Sequence, residues 1–326
     1  MVDEEFKPFR TTHHPLRLRQ GDIYVQHDTR LKVYGALCVM MVCWGLSFVA
    51  TKIALESFPT FTLIFLRFGL GSCLFLVIMA RYGFPRFSRK GHVKVFFTSL
   101  FEPGLYFVFE TIGLQHTTAP KASLIIAMVP IAVTIFAFIF LKERTRLAGI
   151  IGILISVIGI TILITGAADF RWTMKGNLLG DLFIFGAVIS AALYTIAARD
   201  VGQTYSAFEI TGMQTLYGTL FYFPAFLWEL PDIQWCTIHF NSVGALVFLV
   251  LFATVGAFLA YNYALTKVPA SRAAVFINGI PVVTAIGAWI LLGETLTPIQ
   301  AAGGVLVLFG VFLANVRNGK SPSSSL

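Results

Sequence analysis

AMVPIAVTIFAFIFLKE at residues 127–143 and NGIPVVTAIGAWILLGE at residues 278–294 are two versions of one template. Each has a proline at its fourth position (Pro130, Pro281), continues through an apolar run, and stops at an acid (Glu143, Glu294). Both landmarks are offset by 151 residues, and the same offset pairs Gly152 with Gly303, Gly159 with Gly310, Leu114 with Leu265 and Lys121 with Arg272. Several landmarks at a single offset identify an internal repeat, where one match would not.

The apolar runs around this pair read as spans at 31–54, 60–81, 94–114, 119–141, 147–168, 177–198, 208–228, 242–266, 272–292 and 298–316. Each is close to the ~20 residues that cross the hydrocarbon of a bilayer. Inside lipid a backbone satisfies its own polar groups only as a helix or a closed barrel, and barrel-type alternation is absent here. The fold class expected is an all-α integral membrane protein of about ten transmembrane helices in two five-helix repeats, at 31–168 and 177–316. Residues 1–30 read as a polar N-terminal segment and 317–326 as a disordered tail.

Composition agrees. The chain is 57% hydrophobic and only 12% charged, about half the charge of a soluble domain. The net charge of +8 would raise nucleic-acid binding in a soluble protein, but here the bases sort by loop. Arg81, Arg86, Arg89, Lys90 and Lys94 follow the second span, and Lys142, Arg144 and Arg146 follow the fourth; Arg199, Lys267, Arg272, Arg317 and Lys320 add to the same side. Lys52, Lys121, Arg171 and Lys175 border the other loops. That asymmetry places both termini in the cytoplasm and requires an even number of spans. The four cysteines, Cys38, Cys43, Cys73 and Cys236, form no C-x-x-C pair, and neither they nor His13 and His14 point to a metal.

A repeat with an odd number of spans enters the membrane in opposite senses. Loop charge supports this: Glu143 sits among Lys142, Arg144 and Arg146, while Glu294 has no basic neighbour, and the basic loop 81–94 has a counterpart, 229–241, without Lys or Arg. Inverted repeats of this kind suit a site near the midplane that opens alternately to each side.

The chain resembles the drug/metabolite transporter superfamily, in its ten-span class with two EamA-type domains. The resemblance rests on Trp44-Gly45-Leu46-Ser47-Phe48-Val49-Ala50-Thr51-Lys52 in the first span and Arg67-Phe68-Gly69 in the second. Ala119-Pro120-Lys121-Ala122 leading to Pro130 and Glu143, then Gly152 and Gly159, complete the first half. Tyr194, Pro281, Glu294, Gly303 and Gly310 carry it in the second. It covers residues 31–316 and implies export or exchange of small metabolites by alternating access, with no substrate specified and no cofactor.

Ionisable groups inside spans need a partner or a task. On the third span Glu102, Tyr106 and Glu110 are spaced by four and share a face, beside Pro103 and Gly104, which interrupt the helix. The offset positions Ala253, Ala257 and Tyr261 lack the acids, so packing symmetry does not require them. Trp44, Ser47, Phe48 and Thr51 share a face of the first span, and Ser190 and Tyr194 hold the comparable place on the sixth. With Tyr261, Asn262 and Asn278 these form the candidate substrate-binding set, although buried amides also knit helices together. Arg67, inside the second span, reads as a structural partner for an acid, with Glu110 at similar depth, or as a substrate contact. Pro130 and Pro281 read as bends that gate or simply fit the bundle. Gly152 with Ser156 and Gly186 with Ser190 read as packing, Lys52 and Lys121 as snorkelling anchors, and Asp181 as interfacial.

No phosphate-binding loop, zinc-protease motif or nucleophile elbow is present, so a gradient of substrate or protons is the expected driving force. The reading is a secondary transporter of small organic metabolites, amino-acid-like or drug-like, working in the direction of efflux. An intramembrane enzyme or a non-transporting scaffold is the alternative. The expected partners are the small-molecule substrate, the lipid bilayer and a possible coupling proton, with no nucleic acid; the expected location is the plasma membrane, the inner one in a bacterium.

Overall fold

The computed structural model describes residues 20–116, 122, 125–167, 178–233, 237–293 and 295–315. Lys121, Arg171, Lys175, Cys236, Glu294, the first nineteen residues and the tail from 316 lie outside them. Ten membrane helices follow in order among the described residues: α1 (Gln20–Ala54), α2 (Thr60–Tyr82), α3 (89–116), α4 (Val129–Phe140), α5 (Leu147–Thr165), α6 (Leu178–Val201), α7 (Ala207–Glu229), α8 (Phe240–Lys267), α9 (270–292) and α10 (Pro298–Asn315). The chain is an all-α, multi-pass integral membrane protein.

Eight of these helices are long and apolar enough to cross a membrane outright. Of the other two, α4 is short, and α7 is long but carries Thr211, Gln214, Thr215 and Tyr222 on its buried side. A span tolerates such a stripe where neighbouring helices satisfy it. Two helices begin earlier than the apolar runs imply. In α1 the helix extends back to Gln20, beyond the span starting at Arg30. In α3 it starts at Arg89 because the Ser88 hydroxyl accepts the backbone N–H of Gly91 at 3.0 Å, a cap that hydropathy cannot register.

Packing joins the two halves rather than separating them. Helix α5 lies against α10 and α2 against α7; α1 packs on α8 and α9, as α6 packs on α3 and α4. Every pair is either self-matched or exchanged by the 151-residue offset, as an internal two-fold demands. The α5–α10 contact is the closest. A Cβ added at Gly152 would lie 2.6 Å from the carbonyl oxygen of Gly310, and one at Gly310 would lie 2.6 Å from that of Gly152. Gly159 and Gly303 face each other in the same way, each 2.9 Å from the other's carbonyl. Only residues without a side chain allow two backbones this close.

Both prolines of the opening template lie at the start of a helical segment. Pro130 is near the beginning of α4, and Pro281 opens the segment Ile280–Leu292 of α9 after a tighter 3₁₀ stretch, Val275–Gly279. A proline lacks the N–H that a helix interior needs but fits the first turn.

Two faces emerge. On the face where α1 begins, Glu143 after α4 accepts the Nε–H of Arg199 at 3.0 Å and the backbone N–H of Ala270 at 2.9 Å, while Arg199 donates through Nη1 to the carbonyl of Leu265 at 2.7 Å. Lys94 pairs with Asp200 at 2.6 Å, and the Thr145 hydroxyl donates to Ser271 at 3.1 Å. On the opposite face the Glu229 carboxylate caps α2, accepting the N–H groups of Phe61 and Thr62 at 3.2 and 2.6 Å. There the Ser242 hydroxyl donates to the carbonyl of Ile53 at 2.9 Å. Each of these contacts except that of Arg199 with Leu265 crosses between halves.

Candidate functional site

Helix α3 is interrupted where Pro103 and Gly104 stand. Glu102 is extended (φ −146°, ψ 120°), the Glu102–Pro103 peptide is cis, and Leu100–Leu105 forms a wide turn between two regular pieces. The break exposes carbonyls that the helix no longer satisfies, and in hydrocarbon such groups need other donors. The second half supplies them. The Ser190 hydroxyl of α6 donates to the carbonyl of Phe101 at 2.8 Å. From α7, Gln214 donates through Nε2 to the carbonyl of Glu102 at 2.9 Å, and the Tyr222 hydroxyl lies 3.0 and 2.8 Å from the carbonyls of Pro103 and Gly104.

Helix α8 is also wide, at Leu249–Gly256, the stretch that the offset maps onto the α3 break. Here the donors come from the first half. Trp44 on α1 donates through Nε1 to the carbonyl of Ala253 at 3.0 Å, and Arg67 on α2 donates through Nε to the Thr254 hydroxyl at 2.9 Å. Glu102 and Ala253 are offset equivalents, so corresponding carbonyls are held by Gln214 in one copy and Trp44 in the other. The bracing is reciprocal: the second half clasps the broken helix α3 and the first half clasps the widened turn of α8.

Between the α3 break and the wide turn of α8 lies a polar network. The Tyr194 hydroxyl donates to Asn262 Oδ1 at 3.0 Å, and Asn262 donates through Nδ2 to Thr211 at 2.9 Å and to Gln214 Oε1 at 3.1 Å. The hydroxyls of Thr195 and Tyr261 are 3.1 Å apart. Every residue of this network is almost completely buried. Aromatic rings wall it in: Trp44 meets Phe258 edge-on at 5.1 Å and Tyr261 at 5.4 Å between ring centroids.

The charged groups complete the cluster. Arg67 is 7% exposed and Glu102 is 9% exposed. Glu110 is half-buried and accepts the Tyr106 hydroxyl at 3.1 Å. Arg67 is in Coulombic reach of Glu110, Glu102 and Tyr222, and Glu102 influences Tyr194 and Tyr261 as well. The Arg67 guanidinium lies 5.4 Å from the Phe107 ring centroid and 5.5 Å from that of Phe68, a cation–π placement. No carboxylate lies within 4 Å of it among the described residues.

Most of the residues singled out from the sequence therefore converge: Trp44, Arg67, Glu102, Tyr106, Glu110, Ser190, Tyr194, Tyr261 and Asn262. Others are elsewhere. The Ser47 hydroxyl donates back to its own helix at Trp44. Phe48 is half exposed, and Thr51 is half-buried one turn further on. Asn278 donates to the Ser156 hydroxyl on α5 at 2.7 Å, and its Oδ1 is buried without a hydrogen-bond partner among the described residues. Gln214, Thr211, Tyr222, Thr195 and Thr254 join the network without having been singled out. The signal for three of them was present in the spacing of Thr211, Gln214 or Thr215, and Tyr222 on one side of α7.

Comparison with known proteins adds the following. Residues 31–165 and 178–316 each match the EamA-like transporter family. A protein of Archaeoglobus fulgidus named "Uncharacterized transporter" is 31% identical over 87% of this chain and 98% of its own length. YetK of Bacillus subtilis, also named a transporter, is 27% identical over 95% of this chain and 94% of its own. A "Probable terminal-alkyne amino-acid exporter" of Streptantibioticus cattleyicolor is 24% identical over 88% and 94%. A solved crystal structure superposes with a TM-score of 0.73 at 17% identity, covering 87% of this chain and 96% of that one, which establishes a common fold.

Proposed function

The chain belongs to the EamA-like transporter family, and on that premise we propose that it is a secondary carrier of small organic metabolites, amino-acid-like or drug-like, that moves them outward by alternating access. The observation that carries this reading is the charged and hydroxylated cluster set between a broken helix, α3, and the widened turn of its counterpart, α8. A bilayer-buried arginine and two acids are expensive unless they serve a passage. Broken helices brought together by inverted repeats are where carriers place their sites. The exporter among the relatives supports an amino-acid-like cargo and the outward direction. The rest of the proposed role is non-enzymatic: nothing is converted, only moved.

Loop charge supports an orientation with both termini cytoplasmic, in the plasma membrane, or the inner membrane of a bacterium. The face closed by Glu143, Arg199, Lys94 and Asp200 is then the cytoplasmic one.

Proton exchange is the proposed coupling, with Glu102 and Glu110 as its carriers. One guanidinium balances only one carboxylate, so a proton on either acid leaves the Arg67–Glu102–Glu110 set neutral. The titratable groups within Coulombic reach of Glu102 are Glu110, Arg67, Tyr106, Tyr194, Tyr222 and Tyr261. The test is flux in proteoliposomes containing the purified chain under an imposed pH gradient. Glu102→Gln and Glu110→Gln are each expected to abolish pH-driven flux, and Glu110→Gln to do so while leaving counterflow at uniform pH. Unchanged pH dependence in both variants eliminates proton coupling and leaves facilitated diffusion.

A further inference from the structure

The Arg67 guanidinium has more hydrogen-bonding capacity than its surroundings use. Its Nε donates to Thr254, while Nη1 and Nη2 make no hydrogen bond among the described residues. The side chain is nonetheless more than nine-tenths buried, with aromatic rings of Phe68 and Phe107 alongside it. The two free nitrogens form a fork that matches a carboxylate in a bidentate fashion. Phe68, Phe107 and Thr254 cannot serve as that partner.

Glu102 presents the opposite charge with the same incompleteness. It too is about nine-tenths buried, and its carboxyl oxygens accept no hydrogen bond among the described residues, although its carbonyl is fully used by Gln214. Glu110 differs, since Tyr106 already donates to it. Two opposite charges on side chains about nine-tenths buried, in Coulombic reach of each other yet forming no ion pair among the described residues, leave one unmet donor fork and one unmet acceptor.

We infer that this site recognises a zwitterion, with the substrate carboxylate held by Arg67 Nη1 and Nη2, its ammonium facing Glu102, and its apolar part lying against the half-buried rings of Trp44 and Phe107. A purely cationic solute would satisfy Glu102 but leave the guanidinium unmet and repelled. A purely anionic one would do the reverse. A zwitterion completes both poles with no change in net charge, and its ammonium competes with a proton for the Glu102 carboxylate. The inference rests on the transport reading for its biological meaning, but the binding it specifies is measurable without transport.

The experiment uses the purified full chain and three probe sets: the common α-amino acids, the amines left by their decarboxylation, and the carboxylates left by their deamination. Thermal stabilisation reports binding, and counterflow in proteoliposomes reports movement. At least one amino acid is expected to bind at least tenfold more tightly than its matching amine and its matching carboxylate. Arg67→Lys, which keeps the charge but loses the fork, and Arg67→Gln are each expected to weaken that amino acid at least tenfold. Glu102→Gln is expected to erase the preference over the matching carboxylate. Tighter binding of amines or carboxylates than of any amino acid overturns the inference, as does an Arg67→Lys protein that folds and binds amino acids unchanged. Silence from every probe set in both assays overturns it too. Amino acids that bind with this dependence but never move would instead sink the transport reading and leave the zwitterion site standing.

Discussion

Gln214 is engaged at both ends of its amide. Its Nε2 donates to the carbonyl freed at Glu102, and its Oε1 accepts from Asn262. Replacing it with leucine removes both partners while keeping approximate bulk, so a buried carbonyl and a buried amide lose a contact each. Stranded polar groups cost roughly 1–3 kcal/mol apiece. Gln214→Leu is therefore expected to lower the unfolding temperature in detergent, measured by intrinsic fluorescence, and to cut flux more than an exposed substitution such as Phe240→Leu does. Trp44→Phe makes a narrower demand, because the ring wall survives and only the donor to Ala253 is lost. It is expected to destabilise by about 1 kcal/mol in the same assay. The acids and Arg67 are legible in sequence because charge in an apolar run is conspicuous. Gln214 and Tyr222 are marked only by sharing one side of α7 with Thr211, and their use depends on which carbonyl lies opposite.

At the scale of helices, the α5–α10 pair makes the sharpest demand. A Cβ at Gly152 would sit 2.5 Å from the backbone nitrogen of Ala314, and one at Gly303 would sit 2.5 Å from that of Leu163. Backbone cannot rotate aside as a side chain can. Gly152→Leu and Gly303→Leu are each expected to cost several kcal/mol and to reduce recovery of monodisperse protein on size-exclusion chromatography. Gly35→Ala, with open space around its Cβ position, is expected to be neutral. These glycines, the ten apolar runs and the repeat are all readable from the chain, because length, apolarity and a constant offset are local properties. The break in α3 is readable too, from Pro103-Gly104. The wide turn in α8 is not: Leu249–Gly256 contains no proline, and only its overlap with the positions 151 residues after Leu100–Leu105 marks it. Its wide turn depends on donors that Trp44 and Arg67 bring from about two hundred residues away in sequence.

For the whole molecule, the two faces give separate tests. Lys90 is exposed beside the start of α3 and Phe240 is exposed at the start of α8. In a background stripped of native cysteines, Lys90→Cys and Phe240→Cys are expected to react with a membrane-impermeant maleimide from opposite sides, the first only after the cytoplasmic side is exposed. Labelling of both from one side defeats the inverted arrangement. The Glu143–Arg199 pair closes one face, so Glu143→Gln should loosen it. A cysteine at Ser271, almost completely buried beside Thr145, is then expected to be labelled several-fold faster than in the otherwise unaltered protein.

The glycine contact also bears on how the duplicated sequence can change. Where the carbonyl of Gly310 occupies the space a side chain on Gly152 would need, and the reverse holds, a mutation in either copy is judged by its twin. Drift at those positions is held in check by the ancestral partner. At Glu102 and Ala253 no such mutual veto operates, since backbone carbonyls there are held by side chains from different helices. The two copies thus carry an acid and a methyl group at one repeat position while the seam that joins the halves stays closed.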